Sequence, residues 1–169
     1  VTQLVLVPGL TVESVTAVVD RLRAAGETVA TAESLTAGLV TAVLTSVPGS
    51  SAVVRGGMVV YGTDLKATMA GVDPDLLAAA GPIDRDVALQ LAEGARSRCG
   101  ASIGLGLTGV AGPDPQDGVA PGTVWVALVS ARGPQAVLLA APGGRENVRT
   151  AAVVAALDLL AADLARLIE

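Results

Sequence analysis

From residue 15 onward, short β-branched runs alternate with stretches of helical apolar spacing, and that alternation most constrains what this chain can fold into. Val15, Val18, Val19 and Leu22 share one helical face, and Gly26 follows as a stop. "TVATA" (28–32) reads as a short strand, and a helix is predicted over 36–46, ending at the turn signal "VPGS". "AVVRGGMVVY" (52–61) reads as a strand whose Gly-Gly pair suggests a bulge or a close backbone approach. Two short helices follow, one closed by Gly71 and one capped by Asp73; a longer one runs from Asp84 to Gly100. Next come a strand at 101–109 and a loop rich in Gly, Pro and Asp to Gly122. Two strands joined by Arg132-Gly133-Pro134 follow, and a last amphipathic helix runs from about Glu146. This order predicts an α/β fold, a three-layer α/β/α sandwich around a mixed, mostly parallel sheet with its antiparallel pair late. No repeat or linker interrupts it, so residues 1–169 are read as a single domain, long enough for a proper core.

Composition excludes several function classes. Apolar residues make up 51% of the chain but are mainly Ala, Val and Leu; Phe is absent, and Tyr61 and Trp125 are the only aromatics. The core is therefore aliphatic, with little aromatic surface for stacking bases. The net charge of −5 and singly scattered basic residues argue against a nucleic-acid partner. No apolar run reaches the roughly 18 residues of a membrane span, and no signal-peptide pattern opens the chain, so a cytoplasmic protein without membrane contact is expected. Cys99 is the single cysteine, and Glu33, Asp64, Asp84, Asp86, Asp114 and Asp117 form no metal-ligand spacing. No metal and no cofactor are expected. Apolar faces on Ala/Leu-rich helices point to a homodimer.

Two further features direct attention to particular residues. Histidine is absent, which removes the commonest general base. Of the eleven basic residues ten are Arg, and Lys66 is the one lysine. Lysine can lose its proton at accessible pH and arginine effectively cannot, so a sole lysine is a candidate for work that needs deprotonation. The alternative is a lysine left on the surface by chance.

Four places could carry chemistry. Ser34, between a strand and a helix, is either an N-cap or a nucleophile beside the free N–H groups of a helix start. Tyr61 and Lys66 lie five residues apart in "VVYGTDLK", where a neutral Lys66 could take the serine proton and Tyr61 could relay it. The bland alternative packs the tyrosine ring under a loop and solvates the lysine. Thr108 and Gly109 open a long loop whose backbone N–H groups could cradle an anion, with the Thr108 hydroxyl added. Arg145, at the start of the last helix with Arg149 one turn on, could hold a phosphate or simply pair with nearby acids.

Taken together, "TAESLTAGLVTAVLTSVPGSSAVVRGGMVVYGTDLK", "GVDPDLLAAAG", "LTGVAGP", "GTVWVAL" and "GGRENVR", in this order, resemble the CinA C-terminal domain family, the nicotinamide mononucleotide deamidases also called PncC. The resemblance implies a serine amidohydrolase that turns nicotinamide mononucleotide into nicotinate mononucleotide and ammonia, with a Ser–Lys pair in place of a triad. The family's nucleophile falls on Ser34, its tyrosine and lysine on Tyr61 and Lys66, its Thr-Gly loop on Thr108 and Gly109, and its late arginine on Arg145. On this reading the oxyanion rests on backbone N–H groups where the helix at Thr36 begins, making Thr36 and Gly38 substrate-binding positions. The substrate's phosphate goes to Arg145 or the Thr108-Gly109 backbone. Two departures stand out. Ala37 replaces a family glycine and is expected to crowd the backbone's approach to substrate, and Asp114 and Asp117 sit in the loop where acids disfavour a phosphate. Some family members carry a large N-terminal domain, and none of its activity is transferred here. Competing readings are a non-catalytic nucleotide-binding or protein-interaction module and Ser–Lys hydrolysis of another small amide or ester.

Overall fold

The computed structural model describes residues 7–167; residues 1–6 and 168–169, the two ends of the expected domain, lie outside the described residues. Helix α1 (Val12–Ala25) starts earlier than the apolar spacing predicts, because Thr11 and Ser14 close a reciprocal capping box. Strand β1 (Val29–Glu33) leads through a turn to α2 (Leu39–Thr45), and a 3-10 turn (Ser50–Ala52) precedes β2 (Val54–Val59). Helices α3 (Thr63–Thr68), α4 (Pro74–Ala80) and α5 (Arg85–Arg98) carry the chain to β3 (Ile103–Gly109). The antiparallel hairpin β4 (Thr123–Ser130) and β5 (Gly133–Ala140) then feeds α6 (Arg145–Ala165).

The five strands lie in the order β2-β1-β3-β4-β5. β1 runs parallel to both β2 and β3, whereas β3–β4 and β4–β5 are antiparallel, the mixed sheet expected from the element order. Burial explains β1, a continuous run with every residue buried, as a central parallel strand requires. Side chains of period two sort the core. Val29, Ile103, Leu105, Leu107, Val124 and Val126 join the cluster built with α1, α2 and α6. Ala30, Ala32 and Val60 join Val87, Leu91 and Ala95 on the opposite face, with α3 to α5. Glycine alternation in β3 brings α5 close: a Cβ at Gly104 would strike the Ala92 carbonyl and one at Gly106 the Ala88 carbonyl.

One local expectation needs correction, and the one for the Gly-Gly pair is met. The helix after β1 begins at Leu39 instead of residue 36, so Ser34 is not its N-cap; Gly38 holds that position with φ +92°. The register slip in β2 falls beside Arg55, between the partners of Val29 and Ala30, while Gly57 is the close approach, where a Cβ would meet the Thr31 and Thr41 hydroxyls.

Candidate active site

β1 and β3 end at Glu33 and Gly109, and the chain past β2 continues through Val60 and Tyr61. The connection after β1 leaves on the α2 face and the one after β2 on the α3–α5 face, so a crevice opens outside the carboxyl ends of the strands. Ser34 N–H still bonds the Leu107 carbonyl (3.0 Å), extending the β1–β3 ladder by one residue. Alternation turns the Glu33 side chain towards α2 and Ser34 towards the opposite face, where Lys66 stands on α3.

Lys66 Nζ lies 3.2 Å from Ser34 Oγ, 2.9 Å from the Val60 carbonyl and 3.4 Å from that of Tyr61. Lys66 is 2% exposed. Burial pulls its pKa from 10.5 to about 8, and the charge of Asp64 acts in the opposite direction. Carbonyls can only accept. A neutral amine therefore spends its two hydrogens on Val60 and Tyr61 and turns its lone pair to the serine hydroxyl.

Glu33, fully buried, is the site residue that sequence reasoning missed. One carboxylate oxygen accepts from Gly38 N–H (3.0 Å) and Val40 N–H (3.1 Å); the other accepts from Thr41 N–H (2.9 Å) and lies 2.9 Å and 3.0 Å from the Thr41 and Thr31 hydroxyls. It thus satisfies the open start of α2 from a strand and fixes both ends of the turn that bears Ser34. The signal available was a lone acid ending an otherwise uncharged strand. From α6, Arg149 donates to the Leu35 carbonyl (3.0 Å) and the Thr36 carbonyl (3.4 Å), holding the same turn from outside. Arg149 also pairs with Glu146 at 3.0 Å.

These bonds alter the place expected for an oxyanion. The Gly38 N–H belongs to Glu33, and Ala37 N–H and Leu39 N–H close on the Ser34 and Thr36 carbonyls. Gly38 therefore has no N–H for substrate. The N–H groups of Leu35 and Thr36 have no partner among the described residues, and of these two Leu35 lines the cavity. Thr36 is fully buried outside that lining, with its hydroxyl unpartnered among the described residues. Ala37 also lies outside the lining, so it crowds nothing there; its cost is a left-handed φ of +50°, about 1 kcal/mol for a residue with a Cβ.

The cavity, of about 140 Å³, is walled by Ser34, Lys66, Tyr61, Thr108, Gly109 and Arg145, and also by Asp114 and Gln116. Its size suits the reacting end of a small ligand, since drug-sized ligands fill several hundred Å³. Tyr61 is 56% exposed at the rim, where its hydroxyl accepts from Arg145 (3.1 Å) and keeps its own proton to donate. Arg145 also donates to the Gly112 carbonyl (3.2 Å). The Thr108 hydroxyl, by contrast, already gives its proton to the Pro82 carbonyl at 2.6 Å and has none for an anion. Among the described residues no three His, Cys, Asp or Glu side chains gather as metal ligands. No helix among the described residues is long and apolar enough to cross a membrane.

Fold and site define an α/β domain with a buried Ser–Lys pair at the carboxyl end of its sheet. The chain belongs to the CinA C-terminal domain family, whose model matches residues 12–164. It is 49% identical over 140 residues to a CinA-like protein of Frankia casuarinae, covering 83% of this chain and 32% of that protein. With a CinA-like protein of Anaeromyxobacter sp. strain K it shares 47% identity over 144 residues, 85% of this chain and 35% of the other. The chain thus spans about a third of the length of these curated relatives. The crystal structure of competence/damage inducible protein CihA from Agrobacterium tumefaciens superposes with a TM-score of 0.87 at 36% identity, over 93% of this chain and 97% of that one. A CinA superfamily protein from Klebsiella pneumoniae gives 0.89 at 29% identity, over 93% and 99%.

Proposed function

We propose that this protein is an amidohydrolase that converts nicotinamide mononucleotide to nicotinate mononucleotide and ammonia. The observation that carries the reading is the buried Lys66 amine, 3.2 Å from Ser34 Oγ with two carbonyls behind it. Membership of the CinA family supports it.

Neutral Lys66 takes the Ser34 proton as Oγ bonds to the carboxamide carbon. The tetrahedral oxyanion is held by the N–H group of Leu35, the unpartnered backbone donor that lines the cavity among the described residues. When the C–N bond breaks, Lys66 returns its proton to the leaving nitrogen, which departs as ammonia; the Tyr61 hydroxyl hydrogen-bonds that nitrogen at the rim. Water then attacks the acyl-serine ester. Lys66 accepts the water's proton and passes it to Ser34 Oγ as the ester bond breaks. Arg145 takes the substrate phosphate, while Asp114, facing the same cavity, suits the positive pyridinium ring.

The test is ammonia release from nicotinamide mononucleotide, with Ser34→Ala and Lys66→Arg beside the wild type. Both variants should fall below about 1% of the wild-type rate, a barrier increase of roughly 3 kcal/mol or more. Wild-type rates in both would sink the proposal. Binding of the nucleotide without ammonia release would instead favour a non-catalytic module.

A further inference from the structure

Thr108 is 1% exposed on β3, lines the cavity that holds Ser34 and Lys66, and is 2.6 Å from the Pro82 carbonyl before α5. A carbonyl has no hydrogen, so the single hydroxyl proton of Thr108 is committed to Pro82. What remains on Thr108 Oγ1 is a pair of lone pairs, and no other donor reaches it among the described residues. An acceptor locked in this way, in a largely buried wall, discriminates among ligands by their donors.

We propose that Thr108 is a specificity-determining residue that selects a primary amide over an ester or a carboxylate by accepting a hydrogen bond from the substrate's –NH₂. The inference rests on the amidase reading above and adds a role to it. A carboxamide brings an acceptor for the Leu35 N–H group and two donors for the opposite wall. An ester oxygen at the same place faces lone pairs with lone pairs. The product carboxylate does so with a full charge, which helps it leave. The sequence suggested a hydroxyl for holding an anion; the Pro82 bond reverses that role.

The experiment compares kcat/KM for nicotinamide mononucleotide and for the methyl ester of nicotinate mononucleotide in wild type, Thr108→Val and Thr108→Ser, with thermal midpoints as the check on folding. Thr108→Val should lower the amide value about tenfold or more and leave the ester value within about threefold, with Thr108→Ser close to wild type on both. Nicotinate mononucleotide should bind Thr108→Val more tightly than wild type. If Thr108→Val does not fold, Thr108→Ala is held to the same criteria. Equal losses on amide and ester, or an undiminished amide value, overturn this inference alone. A folded wild type that releases no ammonia overturns the amidase reading and this inference with it.

Discussion

Lys66 reaches Ser34 from a helix that begins beyond the neighbouring strand, and its amine sits 3.2 Å from the serine oxygen while the Val60 and Tyr61 carbonyls occupy its other sides. The buried ammonium is disfavoured, which sets the pH dependence. The proposed hydrolysis uses the neutral amine, so kcat/KM for ammonia release should rise about tenfold per pH unit on the acid side and level off above about pH 8. A flat profile between pH 6 and 9, set by the assay, would remove Lys66 as the base. Stability carries the same signature. Between about 8 and 10.5 the unfolded chain holds a proton that the native site lacks, so stability rises with pH through that window. Urea unfolding of wild type should gain up to about 3 kcal/mol on Lys66→Met across it.

Asp64, exposed in the first turn of α3, raises the Lys66 pKa through its charge. Asp64→Asn should therefore move the midpoint of the pH–rate profile to lower pH. The shift should be under about one unit because the carboxylate is solvated, and it should shrink in high salt. A shift towards higher pH would show that another group governs the titration.

Glu33 ties three backbone N–H groups at the start of α2 to the end of β1. A carboxylate only accepts, whereas the amide of Gln would set its own hydrogens against those donors. Glu33→Gln should lose about 2–3 kcal/mol in urea unfolding and more than tenfold in kcat, since the turn that carries Ser34 loses its anchor. A folded variant with wild-type kcat would show that the turn holds its shape without Glu33.

The layers of the fold were legible because apolar spacing reports them directly: β3 with its alternating glycines and α5 with its buried face need each other, and both periods are visible in the chain. Ser34 and Lys66 were legible for a chemical reason, the lack of histidine and the solitary lysine. The start of α2 was not, because its cap comes from Glu33 upstream in a strand and not from a residue at the helix end. Thr108 was noticed for the wrong property. Its proton goes to Pro82, 26 positions away in sequence, and no local pattern encodes that bond. Arg149 was seen as a companion of Arg145, yet it faces the Leu35 and Thr36 carbonyls, a contact that exists only once α6 packs beside the turn.

At the opposite end of the sheet, Asp163 on α6 is fully buried and accepts from Arg132 (2.9 Å through Nε), Gln135 (2.7 Å) and Ser130 (3.2 Å). Arg132 extends the cluster to Glu27 before β1 at 2.9 Å, and its hydrogen bonds to Asp163 hold its pKa above the ordinary value. This cluster clamps α6 to the β4–β5 hairpin and to the end of α1. Removing Asp163 leaves Arg132 with Glu27 alone and strips Ser130 and Gln135 of their acceptor, and breaking a buried pair in this way typically costs about 3–5 kcal/mol. Asp163→Ala should therefore lower the thermal midpoint by on the order of 10 °C. The cluster touches none of the residues that line the cavity, so kcat below the new midpoint should stay within about twofold of wild type. A large fall in kcat at unchanged midpoint would mean that α6 transmits its position to Arg145 and Arg149, and that the two ends of the sheet are coupled through it.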